Sequence, residues 1–312
     1  EVIDMRKPGW KPMVCAFLVL FLVSSVAGAA APVVVSSKID TEGALLGQMV
    51  LALFRENGIP ARDKTGLGAT NVVRKAILAG EIDLYPEYTG SGFYFFRGTE
   101  PTLWKDPAKA YQKVKELDAQ NGIAWLKPAP ANNTWAIAAR LDLAGKAGLK
   151  TLSDLARYMA GGGKVKMAAS EEFTSHPDAL PAFESAYGFR FTKAQLLVLS
   201  GGNTAQTERV ASLGTDGVNL AMAYGTDGAI AALDLVVLED DKNVQPVYEP
   251  APIVRKAVLE AYPRIPLILD PVFASLDLKT LQRLNGKIVV EGLDPAKVAA
   301  GYLREKGFLK KP

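Results

Sequence analysis

The apolar positions of this chain change period several times, and the changes set out strands and helices in alternation. Pro32 to Ser36 holds a run of valines, a β-branched stretch that predicts a buried parallel strand. After Ser37-Lys38-Ile39 the period becomes helical, with Leu45, Leu46, Val50, Leu51 and Phe54 on one stripe and Asp40 or Thr41 placed to cap it. Gly58 ends that helix. Gly66-Leu67-Gly68-Ala69-Thr70 reads as a tight turn into a second helix through Val72, Val73, Ala76 and Ile77. Ile82 to Leu84 predicts a strand, which Pro86 stops near Tyr85 because proline has no N–H for a ladder. Leu103 to Asn121 is amphipathic, and Ala136 to Arg140 alternates as a crossing strand with Trp135 at its start. Thr151 and Asp154 have capping-box spacing for a helix to Tyr158. Lys164 to Ala168 and Val218 to Ala223 predict further strands, an apolar strand follows Tyr248, and Val298 to Gly307 predicts a closing helix. Strands alternating with helices predict the α/β class.

The strand ends carry the chemistry. In open α/β sheets, ligands bind outside the carboxyl ends of the strands. Lys38 stands at the end of the first strand. Tyr85-Pro86-Glu87-Tyr88-Thr89-Gly90-Ser91-Gly92 stands where a strand hands over to a helix, with Pro86 and Glu87 suited to the helix start and glycines that let backbone approach a ligand. Tyr224-Gly225-Thr226-Asp227-Gly228 repeats the tyrosine, threonine and glycine in the second half, so Thr226 is expected at the ligand with Tyr224. Such ends are expected to face one another across a cleft. Any one of Tyr88, Trp135, Tyr224 and Tyr248 is most simply a core residue, but together they suggest an aromatic cage. Aromatic faces attract a cation without needing a donor from it, which suits a quaternary ammonium group. Lys38, Ser91 and His176 are candidates for an anionic end, so the site would select a zwitterion. The plainer readings are a solvated lysine and a capping or core histidine.

Composition narrows the classes. The chain has 312 residues, 49% hydrophobic and 22% charged, with a formal charge of +3. That is enough chain for two domains and no footprint of nucleic-acid binding. Arg6, Lys7 and Lys11, the apolar run Met13 to Val26 and Ala27-Gly28-Ala29 read as a cleaved signal peptide over 1–29 rather than a membrane anchor. Cys15 is the only cysteine and His176 the only histidine. With Cys15 removed on cleavage, the mature chain has no disulfide, no thiolate nucleophile and no thiolate metal site. No metal, cofactor or catalytic residue is expected.

The chain resembles the substrate-binding proteins of osmoprotectant ABC importers, the glycine betaine/choline/carnitine group of the OsmF and ProX type. The resemblance rests on Ser37-Lys38 with Thr41-Glu42, Gly66-Leu67-Gly68, Asp83-Leu84-Tyr85-Pro86-Glu87-Tyr88-Thr89-Gly90, Ala223-Tyr224 with Thr226-Asp227, and Leu238-Glu239-Asp240-Asp241-Lys242 before Pro246-Val247-Tyr248. These run in order over essentially the whole mature chain. The resemblance implies a two-domain, type II periplasmic-binding-protein fold with a ligand cleft between the domains. Residues 32–134 with 240–312 would form one domain and 135–239 the other. It places cage rings at Tyr88, Tyr224 and Tyr248, and a fourth at Trp135 where the family has tyrosine. It makes Lys38 the carboxylate lysine and Ser91 its hydroxyl partner. His176 stands where related betaine binders carry an arginine fork, and histidine offers fewer donors. The implied partners are a quaternary-ammonium solute, an ABC permease and, through it, the ATPase subunit. The implied state is a periplasmic monomer.

Two rivals stay open. An enzyme on the same scaffold would use Glu87 or Asp227 as acid or base, although both read more simply as helix-start residues. A binding protein for an amino acid or another small cation would depend less on the rings.

Overall fold

The computed structural model describes residues 31–200 and 203–310. The signal-peptide expectation over 1–29, Cys15 included, lies outside them. In chain order, β1 (Val33–Lys38), α1 (Thr41–Glu56), β2 (Ala61–Gly68), α2 (Thr70–Ala79), β3 (Leu84–Tyr88), α3 (Ser91–Phe95), α4 (Pro107–Asp118) and β4 (Ile123–Trp125) come first. Then follow β5 (Trp135–Arg140), α5 (Leu141–Ala147), α6 (Leu152–Ala160), β6 (Met167–Ser170), α7 (Glu171–Ser175), α8 (Leu180–Tyr187), β7 (Leu196–Leu199), α9 (Thr204–Leu213), β8 (Leu220–Tyr224) and β9 (Leu235–Leu238). The chain ends with β10 (Pro250–Arg255), α10 (Lys256–Ala261), α11 (Ile265–Ala274), α12 (Leu278–Val289) and α13 (Pro295–Glu305).

The strands form two five-stranded sheets, ordered β2-β1-β3-β10-β4 and β7-β6-β8-β5-β9. Each has a parallel trio beside an antiparallel strand, β10 in the first and β5 in the second. The strand order reverses between β1 and β3, and again between β6 and β8, which creates a crevice at the carboxyl ends of both sheets. Apolar side chains cover both faces of each sheet. Leu45, Leu46, Met49 and Phe54 of α1 pack with Phe273, Leu281 and Tyr302 on one face of the first sheet. Val73, Ile77, Trp104 and Val114 cover the other. Ile137, Met167, Phe173 and Phe183 belong to the main core of the second sheet.

Local chemistry explains the boundaries. Asp40 caps α1 by accepting from the Gly43 N–H at 2.7 Å. Thr151 and Asp154 form the expected capping box on α6. The expectation that Pro86 ends its strand is overturned, since β3 runs through it to Tyr88. Pro86 lies opposite Pro252 in the antiparallel pair with β10. The Pro252 carbonyl accepts from the Leu126 N–H at 2.9 Å, so its backbone faces β4 and no β3–β10 ladder bond is lost at the two prolines. Glu87 is therefore a strand residue, not a helix-start residue. The stretch before His176 forms α7, with Ser170 as its N-cap and His176 at its end.

Two chain segments pass between the sheets side by side. The Asn133 N–H donates to the Tyr248 carbonyl at 2.8 Å and the Tyr248 N–H to Asn132 Oδ1 at 2.8 Å. The Thr134 hydroxyl donates to the Pro246 carbonyl at 3.0 Å.

Away from the crevice, one polar cluster ties α2, α4 and β4 together. Arg74 grips Asp118 with both terminal nitrogens, and Trp125 Nε1–H donates to the same carboxylate at 2.7 Å. Both Arg74 and Asp118 are buried. Replacing one partner leaves an uncompensated buried charge, at a cost of about 3–5 kcal/mol. Asp118→Ala is expected to lose stability on that scale in urea unfolding. A loss below about 1 kcal/mol would show the pair to be peripheral.

Candidate functional site

The crevice holds a cavity of about 590 Å³. Lys38 at the end of β1 and Tyr88 at the end of β3 line it from the first sheet, and Ser91 opens α3 beside them. From the second sheet come Trp135 at the start of β5, Tyr224 at the end of β8, and Glu172 and His176 on and after α7. Tyr248 enters from the returning crossing segment. Seven of the eight residues expected at the ligand therefore share one cavity.

The cross-strand pair Trp135–Tyr224 holds two of the rings, and Trp135 Nε1–H donates to the Tyr224 hydroxyl at 3.1 Å. The Trp135 ring centroid lies 6.2 Å from that of Tyr248 and 5.5 Å from that of His176. Gly90 makes room for Tyr248: a Cβ there would stand 2.8 Å from two of its ring atoms and from the Val247 carbonyl. The glycines of this stretch thus admit side chains, Tyr248 at Gly90 and Trp104 at Gly92, where the sequence suggested close approach of backbone to a ligand. Burial raises the Tyr88, Tyr224 and Tyr248 phenols above their ordinary range, so the rings are neutral.

The anion-binding candidates are already engaged. Lys38 Nζ lies 2.6 Å from Glu87 Oε1, and the Ser91 hydroxyl donates to the same oxygen at 2.9 Å. The Tyr88 N–H and the Tyr85 hydroxyl complete the shell of this fully buried carboxylate. Lys38 Nζ also stands 4.7 Å from the Tyr88 ring centroid, so its ammonium covers one face of that ring. Two of its three N–H groups remain beyond the bond to Glu87. His176 Nδ1 accepts from the Asp178 N–H at 3.3 Å, which places the proton of the neutral ring on Nε2.

Thr226 does not line the cavity, contrary to expectation. It sits in the turn after β8 that packs onto α12, where Gln282 Nε2–H donates to the Gly225 carbonyl at 2.9 Å. Its own carbonyl accepts from Asn285 Nδ2–H at 3.0 Å, and its hydroxyl bonds Glu42. Glu42 collects further donors from Tyr88 OH, Asn133 Nδ2 and Asn285 Nδ2. Burial outweighs them and pushes its carboxyl up to about 7. Asp227 and Glu208 are bonded to each other in the same region, and burial raises both. Asp227 also accepts the Tyr224 N–H at 2.6 Å. The sequence did not single out Tyr94, Asp40 or Glu172, which also line the cavity. Tyr94 lies two residues beyond the stretch that drew attention. Asp40 reads only as a cap, and nothing in the pattern marks Glu172.

Residues 31–305 match the family described as the substrate binding domain of the ABC-type glycine betaine transport system. The chain belongs to this family. It is 55% identical over 296 residues to the glycine betaine-binding protein YehZ of Escherichia coli (strain K12), covering 95% of this chain and 97% of that protein. It is 35% identical over 283 residues to a glycine-betaine-binding protein of Pseudomonas aeruginosa, covering 88% of each. The solved structure of apo YehZ from Escherichia coli aligns with a TM-score of 0.71 at 56% identity, covering 89% of this chain and all of that one. The fold is accordingly the two-sheet α/β fold of periplasmic binding proteins. Membership makes this a substrate-binding component of an ABC-type transport system, with a small-molecule ligand and a membrane permease as partners, rather than an enzyme.

The Gly90 contact gives a test of how the cage is built. Gly90→Ala is expected to cost about 1–3 kcal/mol of stability, because the Tyr248 ring and the 247–248 backbone must shift. An unchanged melting temperature would show that Tyr248 is not held against Gly90.

Proposed function

We propose that this protein captures a quaternary-ammonium solute of the glycine betaine class in the periplasm and delivers it to the permease, and through it to the ATPase subunit, as a monomer freed of its signal peptide. The observation that carries this reading is the convergence of Tyr88, Trp135, Tyr224 and Tyr248, from both sheets, on one cavity. Tyr94 adds a ring beside His176, at 5.4 Å between centroids. A trimethylammonium group brings no N–H donor and spreads its charge over methyl groups, so ring faces match it. The family and the names of the two relatives support the same solute class.

In this reading the free N–H groups of Lys38 and the Nε2–H of His176 receive the ligand carboxylate, with Ser91 holding Lys38 through Glu87. Thr226 acts at a distance, through Glu42. Residues 32–134 with 240–312 and residues 135–239 move as two domains about the paired crossing segments. The ligand favours the closed form because it touches rings of both. Asp40 and Glu172 in the cavity wall favour a second reading, a simple cation such as choline without a carboxylate.

Calorimetric titration with glycine betaine, choline, carnitine and proline betaine separates these. Zwitterion binding is expected, since a carboxylate meets the free N–H groups of Lys38 and the Nε2–H of His176. Choline binding alone would move the assignment to the second reading, and silence across the panel would remove the solute class. Trp135→Ala and Tyr224→Ala are each expected to weaken binding by about 0.5–2 kcal/mol, roughly 2- to 30-fold. Unchanged affinity in both would contradict an aromatic cage.

A further inference from the structure

A second cavity, of about 20 Å³, adjoins the aromatic one and shares Asp40, Asn133, Asn203 and Tyr224 with it. That is room for one water-sized occupant. Three buried side-chain oxygens on its lining have no hydrogen-bond partner: Asn133 Oδ1, Glu208 Oε1 and Asn285 Oδ1. Glu208 is 1% exposed and Asn285 is 3% exposed. The two amides cannot simply be turned over to relieve this. Asn133 Nδ2 donates to Glu42 at 3.0 Å and Asn285 Nδ2 donates to Glu42 at 2.8 Å, so each oxygen is fixed as the free end.

All three unpartnered atoms are acceptors, and an orphaned buried acceptor is costly. The surroundings are acidic. Asp40, Glu42, Glu208 and Asp227 line the cavity, but burial raises Glu42, Glu208 and Asp227 and the Glu208–Asp227 pair holds a proton, so only part of this lining is ionised. The amino ends of α1 and α9 offset part of this charge, but Asp40 and Asn203 already cap them. A water molecule has two O–H donors for three acceptors. A cation serves all three at once. No group of three or more His, Cys, Asp or Glu side chains among the described residues is placed to hold a metal ion, which argues against a multivalent metal. Two amide oxygens and a carboxyl oxygen suit a hard ion of low charge.

We propose that this cavity binds a monovalent alkali cation of sodium to potassium size, held by Asn133, Asn285 and Glu208. The donors come from the crossing segment, from α12 beside the first sheet and from α9 beside the second. The ion therefore fastens the seam between the two blocks, on the side where Gly228 lies against Gly286 of α12. Because Tyr224 borders both cavities, the ion also steadies one wall of the aromatic cavity.

The test uses the ligand-free protein, so it stands apart from the solute reading. Thermal midpoints are measured in lithium, sodium, potassium and caesium chloride at one concentration. The midpoint is expected to be higher in sodium or potassium than in caesium, which is too large for the cavity, and to rise with the concentration of the preferred salt. Glu208→Met, which removes one oxygen at similar volume, is expected to abolish the difference between salts. Should that variant fail to fold, crystals of the unaltered protein soaked in a thallous salt are expected to show an anomalous peak in the cavity. Equal midpoints in all four salts, a difference that survives Glu208→Met, or a lone water without anomalous signal would each overturn the proposal.

Discussion

The site depends on the buried carboxylate of Glu87. It lies within the first sheet, on β3, and gathers the Lys38 ammonium, the Ser91 and Tyr85 hydroxyls and the Tyr88 N–H. A buried charge persists only when it is paired and hydrogen-bonded, and this one is. The shell fixes Lys38 over one face of Tyr88 and orients both residues at the cavity wall. The same arrangement limits the anion-binding power of Lys38, whose charge is largely met by Glu87. In the proposed reading the cation end of a ligand would meet a preformed set of rings, and its anion end donors with prior engagements.

The two sheets solve one geometric problem twice. Each places a parallel trio so that the strand order reverses beside its first strand, and each puts a tyrosine at the end of the strand across that crevice, Tyr88 on β3 and Tyr224 on β8. Each tyrosine is backed by an acid, Glu42 buried and Asp227 half-buried. The Tyr88 hydroxyl donates to Glu42, and the Tyr224 N–H donates to Asp227. The backing acids meet at the seam, where Thr226 and Asn285 also converge on Glu42. A few hydrogen bonds therefore link the Tyr88 and Tyr224 strand ends to the seam.

Much of this was legible in the sequence because strand ends in α/β sheets are punctuated. The tyrosines, Lys38 and His176 stand beside glycine, proline and capping residues, and the valine run before Lys38 and the apolar runs before Tyr85 and Tyr224 fix their place. The edge strand β2 drew no reading before Gly66, and its last three residues were read as part of a turn, because Arg62, Asp63 and Lys64 are exposed and give no apolar period. Pro86 misled for a different reason: its effect on a ladder depends on which side its missing N–H faces, and that is set by β10, far along the chain. Thr226 was placed at the ligand by its likeness to the first strand end, but the turn carrying it packs on α12, a contact between elements far apart in sequence. The partners of Glu87 and Glu42 were hidden in the same way, because a buried acid shows itself only through its long-range donors.

The central claim is that the rings recognise positive charge rather than apolar bulk. The most direct measurement is a calorimetric comparison of glycine betaine with 3,3-dimethylbutanoate, which has the same shape but a quaternary carbon in place of the quaternary nitrogen. Glycine betaine is expected to bind at least about tenfold more tightly, since two rings at about 0.7 kcal/mol each suffice for that factor. Equal affinities would mean that the cavity selects shape and burial alone, and would contradict the account.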